Sequence, residues 1–211
     1  MKIRQETKAD ERIVEEIIRE AFWNLYVPGC DEHYLAHCMR NHPDFISEMN
    51  FVAELENGEV VGSIMYSKSY VIDEQENKID TVTFGPLCVL PKYQRKGIGT
   101  ALINHTKEIA IKNNVAAIII LGHPHNYCKH GFKNTRDFNI TDAEGNYPYG
   151  QLVLELKKDV FANKKWKFIT SPVFYLDPKK AQEFDKKFPP KAKKYQPSQE
   201  EFSIAVRATL K

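Results

Sequence analysis

Val115-Ala116-Ala117-Ile118-Ile119-Ile120-Leu121 is an unbroken apolar run that ends at Gly122. A run this short and this uniformly apolar reads as a strand covered on both faces, the position of a central strand in a sheet flanked by helices. The residues before it agree. Ile98, Ala101, Leu102 and Ile109 share one face of a helix over 97–112, which Asn113-Asn114 closes. A strand over Ile79 to Leu90 precedes that helix. Strand, helix and strand therefore form a crossover unit whose two strands should run parallel with a right-handed connection.

The rest of the chain reads as hairpins and helices around that unit. Ile3 to Glu6 predicts an opening strand, and Thr7-Lys8-Ala9-Asp10 has the hydroxyl-x-x-acid spacing of a helix start. Ile13, Val14, Ile17, Ile18, Ala21 and Phe22 then recur at helical spacing, predicting an amphipathic helix over 8–23. Pro28-Gly29 breaks the chain, and a second helix is expected from about Glu32 to Arg40. Phe51 to Leu55 and Val60 to Tyr66 form a hairpin around Asn57-Gly58, both of which tolerate positive φ. A polar turn near Asp73 to Lys78 leads into the strand that ends at Leu90. After Gly122 a short helix near 124–130 and a strand from Tyr149 to Leu156 are expected. The fold class is α/β, a mixed antiparallel and parallel sheet flanked by helices. Residues 1–157 form its core. Residues 158–211 form a C-terminal extension packed on the core, because Trp166, Phe168, Val173, Phe174, Tyr175 and Phe184 need cover.

Composition narrows the class. Of 211 residues, 42% are hydrophobic and 27% charged, which excludes disorder. No apolar run approaches the ~20 residues of a spanning helix. The first residues lack the apolar core of a signal peptide, and Cys30, Cys38, Cys88 and Cys128 have no regular spacing, so a reducing cytoplasm is expected. The net charge of +2 is uneven: residues 157–211 carry 14 Lys and Arg against 6 Asp and Glu. Those lysines come in pairs without a nucleic-acid motif and read as a solvated surface, making a nucleic-acid partner the lesser expectation.

Gln94-Arg95-Lys96-Gly97-Ile98-Gly99-Thr100 lies between the strand and the helix of the crossover. Its glycines let a ligand approach the backbone, and the first-turn N–H groups point outward with the positive end of the helix dipole. A pyrophosphate suits such a turn, with Lys92, Arg95 and Lys96 adding charge. The sequence has no Gly-x-x-x-x-Gly-Lys-Ser/Thr, and Leu102 stands where a dinucleotide fingerprint would need glycine. Upstream, Gly85-Pro86 predicts a bulge that prises the strand from its parallel neighbour. Backbone groups near Cys88, Val89 and Leu90 are then open to an extended ligand rich in amides. Downstream, Gly122-His123-Pro124-His125-Asn126-Tyr127-Cys128-Lys129-His130-Gly131-Phe132 starts at the C-terminal end of a parallel strand, the usual ligand side of such sheets.

The glycine turn, the Phe84-Gly85-Pro86 strand and the Tyr127 to Gly131-Phe132 spacing together resemble the GNAT superfamily of acetyltransferases over residues 1–156. Gly122-His123-Pro124 and Phe184-Asp185-Lys186-Lys187-Phe188-Pro189 look more closely like its bacterial YhbS-like group. The resemblance implies splayed central strands, acetyl-CoA as acetyl donor and direct transfer to an amine of a small molecule or peptide. It implies that Cys88, Val89, Leu90 and Asn126 hold the pantetheine, and that Arg95, Lys96, Gly97, Ile98, Gly99 and Thr100 cradle the pyrophosphate. Tyr127 is the implied general acid, and Phe22, Tyr26, Asp31, Glu32 and His33 line the implied acceptor pocket.

One feature departs from many relatives, which carry a glutamate base on the bulged strand. Thr81, Val82, Thr83 and Phe84 offer no carboxylate, so a water chain, Glu32, His33 or His123 stays open as base. The same lack supports a rival expectation, a non-catalytic acetyl-CoA-binding regulatory module. His123, His125, Cys128 and His130 are compact for a zinc site and lie on a loop the coenzyme reading already uses, so no metal is expected.

Overall fold

The computed structural model describes residues 1–162 and 164–211. Strand β1 (Lys2–Gln5) leads through a 3-10 turn at Lys8–Asp10 into helix α1 (Glu11–Phe22), and α2 (Glu32–Met39) follows. The helix expected over 8–23 thus begins three residues later. The Asp10 carboxylate accepts from both the Thr7 N–H at 2.8 Å and the Thr7 hydroxyl at 2.6 Å, which fixes the entry as a tight turn. Strands β2 (Phe51–Glu54), β3 (Val60–Asp73) and β4 (Lys78–Val89) form an antiparallel meander. Strand β3 runs seven residues past the expected Tyr66, since Ser67 and Ser69 point their hydroxyls into the sheet rather than ending it. Ser69 Oγ lies 2.7 Å from Thr81 Oγ1 and accepts from Thr83 Oγ1 at 3.0 Å.

Helix α3 (Ile98–Lys112) crosses to β5 (Ala117–Leu121), and the one-turn α4 (Pro124–Tyr127) follows. Short strands β6 (Lys133–Asn134), β7 (Ile140–Thr141) and β8 (Tyr147–Pro148) precede β9 (Gln151–Glu155). The main sheet runs in the order β1-β2-β3-β4-β5-β9-β6. Beyond residue 157 the chain adds β10 (Trp166–Ile169), α5 (Pro178–Asp185), α6 (Pro197–Arg207) and β11 (Thr209–Leu210).

Alternation along the strands divides the core between the two faces. Ile98, Leu102, Ile103 and Ala110 of α3 pack with Phe51, Ala53, Val82, Ile118 and Leu152 on one face. Val14, Ile17 and Ile18 of α1 and Leu35, Ala36 and Met39 of α2 pack with Val52, Val60 and Met65 on the other. The extension completes the sheet: β10 pairs antiparallel with Tyr70 to Asp73 of β3, burying Trp166 and Phe168. Val173 and Phe184 are buried too, but Tyr175 is 78% exposed, against the expectation that it needed cover. It follows a 3-10 turn at Pro172–Phe174 that sends Val173 inward and leaves Tyr175 facing solvent.

Two irregularities position the site. Ile64 faces Leu87 whereas Tyr66 faces Phe84, so β4 carries a surplus residue at Gly85-Pro86. Strands β4 and β5, parallel neighbours, share a single register pair, Val82 with Ile118. Beyond that pair they part, and the gap opens at the end where both strands terminate.

Candidate active site

The first wall of the gap is the turn before α3. Arg95 has φ of +59° and Gly97 of +83°, and these left-handed positions turn successive N–H groups to one side. Among the described residues, no main-chain N–H from Arg95 to Thr100 meets a protein acceptor; the first satisfied donor is Ala101, bonded to Gly97 O at 2.9 Å. Such a row of unspent donors at a helix N-terminus is an anion site in waiting. Arg95 and Lys96 are exposed beside it. Lys92, expected to add charge, is held instead by Glu59 at 2.7 Å, a carboxylate that also accepts from the Tyr93 hydroxyl at 2.7 Å.

The second wall is the end of β4. The Leu90 N–H is already bonded to Val61 O at 2.9 Å, so it faces β3 and not the gap. Alternation turns the N–H of Val89, one residue earlier, to the open side. The Cys88 side chain is buried against α1 and α2, 3.3 Å from Ser63 Oγ, and burial pushes its thiol up to about 11. Of the three residues expected to hold an extended ligand here, Val89 alone offers its N–H to the gap.

Tyr127 forms the third wall. Its ring packs on Phe84 at 5.7 Å and on the buried Phe132 at 6.0 Å between centroids, while Tyr66 lies beneath Phe84 at 5.4 Å. Burial lifts the Tyr127 hydroxyl well above the usual tyrosine range, with a further push from Tyr26. Asn126, beside it on α4, is exposed, its N–H bonded to His123 O at 2.9 Å.

The fourth wall is the loop between α1 and α2. Tyr26 is raised by burial and by the charge of Glu32, and Tyr26 in turn bears on Tyr127. Glu32 and Tyr127 therefore both lie near Tyr26. Burial raises the Glu32 carboxyl from the usual carboxylate range to about 7, partly offset by its own and the Asp31 main-chain N–H. Phe22 stands 5.8 Å from Tyr26, and half-buried Asp31 sits at the start of α2.

His33, expected in this pocket, faces away from it. The ring is wholly buried, with Nδ1 3.5 Å from Cys30 Sγ and Nε2 3.1 Å from Asp185 Oδ1, off the hydrogen-bond axis. Burial lowers the imidazole to about 4 and pushes the Cys30 thiol far above its ordinary range. The Cys-His-Asp order thus packs α2 against α5, with a thiol too hard to ionise to act as nucleophile. Phe202 of α6 had no place in the expected site. It stacks on Tyr26 at 4.4 Å, and only its aromatic character in an otherwise polar helix start marked it. Among the described residues no three His, Cys, Asp or Glu converge as a metal site. A cavity of about 380 Å³ lined by Arg136, Asp137, Glu155 and Lys164 lies elsewhere, since Glu155 pairs with Ala117 at the end of β5 opposite Gly122.

Known proteins share this fold. An uncharacterized N-acetyltransferase of Escherichia coli K12, YhbS, is 27% identical over 133 residues, covering 63% of this chain and 74% of that protein. The crystal structure of E. coli YhbS in complex with CoA superposes with a TM-score of 0.71 at 21% identity, covering 83% of this chain and 92% of that one. A GNAT family acetyltransferase from Brucella melitensis, solved with acetyl-CoA, gives a TM-score of 0.63 at 22% identity over 82% and 97% of the two chains. The family model described as Acetyltransferase (GNAT) family matches residues 16–132. That span runs from within α1 to Phe132 and takes in all four walls, so the chain belongs to the acetyltransferase (GNAT) family.

Proposed function

We propose that the protein transfers an acetyl group from acetyl-CoA directly to a primary amine of a small molecule or peptide. The observation that carries this reading is the row of unspent N–H donors from Arg95 to Thr100, beside strands that part after Val82. Those donors, with Arg95 and Lys96, suit the pyrophosphate, and the Val89 N–H suits a pantetheine amide. The related structures with CoA and acetyl-CoA support the same donor.

Tyr127 and Glu32 divide the proton work. Glu32, at about 7, takes a proton from the incoming ammonium near neutral pH. As the nitrogen–carbon bond forms and the carbon–sulfur bond breaks, Tyr127 gives its proton to the departing thiolate. Burial keeps Tyr127 in its acid form throughout the working range. His33, neutral and sealed, has no access to an amine. Glu32 supplies the carboxylate that residues 81–84 of β4 lack.

Calorimetric titration with acetyl-CoA and with CoA, followed by thiol release across an amine panel, tests the proposal. Binding with amine-dependent release is expected. Binding without consumption of any amine favours the non-catalytic coenzyme-binding module, the reading to which the carboxylate-free strand points. Absence of heat with either form of the coenzyme would end both.

A further inference from the structure

The C-terminal helix α6 joins two banks of the site. At its start, Ser198 Oγ donates to Leu25 O at 2.8 Å and Gln199 Nε2 to Asn24 O at 2.9 Å, while Phe202 stacks on Tyr26 at 4.4 Å with planes 26° apart. At its far end, Tyr149 N–H donates to Ala208 O at 2.8 Å, and β11 pairs antiparallel with β8 through Thr209 with Pro148 and Leu210 with Tyr147. The second bank adjoins the end of β5, because Gly122 N–H bonds to Gly150 O at 2.8 Å and the His123 ring lies 6.1 Å from Tyr149. The helix, about 16 Å long at 1.5 Å per residue, therefore bridges from the acceptor loop to the strand end beside Tyr127.

The first bank is held firmly. Asn24 is buried, with its side-chain oxygen accepting from Gly29 N–H at 2.8 Å and from Lys194 N–H at 3.0 Å, and its amide donating to Ala192 O at 3.1 Å. The Trp23 indole N–H donates to the same Ala192 O at 3.0 Å. Acceptor loop and extension are one structural piece, so the loop cannot open without the extension. Around the first bank Phe22 and Phe202 lie 5.8 Å and 4.4 Å from Tyr26, with the Glu32 and Asp31 carboxyls at the start of α2.

We propose that α6 roofs the acceptor side of the site, with the Tyr26–Phe202 stack as the gate that restricts acceptors to slender small-molecule amines with an apolar or aromatic body. The inference rests on the acetyltransferase reading and narrows its acceptor. A lysine on a folded protein or a peptide must cross the bridge, whereas a small arylalkylamine fits beneath it, its ammonium toward Glu32 and its ring among the aromatic walls.

The test compares wild type, Phe202→Ala and Ile204→Ala, the last an exposed residue of the same helix. Phenethylamine, tyramine, spermidine and a single-lysine peptide serve as acceptors, and acetyl-CoA hydrolysis without amine is recorded alongside. The wild type should favour the arylalkylamines over the peptide in kcat/KM, and Phe202→Ala should shrink that preference about tenfold through the acceptor KM. The KM for acetyl-CoA should stay within about twofold in all three proteins, and Ile204→Ala should match wild type. If no amine is consumed, faster hydrolysis in Phe202→Ala still reports an opened roof. An unchanged acceptor ranking together with unchanged hydrolysis overturns the roof while coenzyme binding stands. A wild type that acetylates the peptide as readily as the amines also overturns it. Absence of coenzyme binding by calorimetry overturns the underlying reading and the roof with it.

Discussion

Gly122 makes room for Tyr127: a β-carbon at Gly122 would overlap the near edge of the tyrosine ring. The glycine stands where β5 ends, and Tyr127 folds back over it from the one-turn helix that follows. Gly122→Ala should push the ring off Phe84 and Phe132 and carry the hydroxyl away from the site. Turnover should fall about 10²-fold, near the loss from Tyr127→Phe, at a stability cost of about 1–3 kcal/mol. Single-turnover acetyl transfer, paired with coenzyme calorimetry, checks this. Wild-type turnover in both variants removes Tyr127 from the proton work.

Gly97 and Gly99 differ in backbone strain. A β-carbon at Gly97 meets no atom within 4 Å, yet its φ of +83° strains any other residue. Gly99 lies within the helix, and a β-carbon there meets only Val89 Cγ2, at 3.9 Å. Gly99→Ala should therefore leave the melting temperature unchanged or slightly raised, within about 1 kcal/mol. Gly97→Ala instead disturbs the left-handed turn that aims the N–H row, so coenzyme affinity should drop at least about tenfold in that variant. Full affinity in Gly97→Ala would move the phosphate site elsewhere.

What the sequence disclosed and what it withheld follow from the range of the interactions. The covered strand β5, the Asn57-Gly58 hairpin, the Gly85-Pro86 bulge and the turn at residues 94–100 were legible because each is fixed by adjacent residues. The seven extra residues of β3 were not, since Ser67 and Ser69 look like a strand's end until Thr81 and Thr83 are placed opposite them. Nor could sequence tell Glu32 from His33. Adjacent on a helix, they point to different faces, Glu32 towards Tyr26 and His33 onto Asp185 some 150 residues later. Phe202 meets Tyr26 through a contact that no local pattern encodes.

Arg19 anchors the extension to the core. Its guanidinium, 4% exposed, donates to Asp185 Oδ1 at 2.6 Å and Oδ2 at 3.3 Å, a two-pronged contact from α1 to α5. Asp185→Ala leaves that guanidinium buried and uncompensated, which should cost about 3–5 kcal/mol. Asp185→Asn keeps the shape and one acceptor and should cost less than half of that. Chemical denaturation of the two variants measures the difference. Equal small losses would show that α5 is held by its apolar contacts through Ala181 and Phe184 alone.

The Glu32 carboxyl should announce itself twice over the same pH range. In the folded chain burial holds it at about 7, against 4.5 as the ordinary value, so the folded state binds the proton more tightly. Its contribution to stability is then full below pH 4.5 and is lost as pH rises through about 7, a swing of up to ~3 kcal/mol. Glu32→Gln abolishes that swing, so the variant should gain on wild type as pH rises from 4.5 to 7.5. His33, lowered to about 4, has the opposite sign, its stabilising share fading as pH falls from 6.5. That share is present in both proteins and cancels in their difference. Activity runs the other way from Glu32's stability, because the base must be ionised: kcat/KM should climb through a midpoint near 7 in wild type and lose that limb in Glu32→Gln. Shared midpoints in the two titrations tie catalysis to this one carboxyl, whereas a stability swing without a matching activity limb would leave Glu32 as a buried acid and return the base to water.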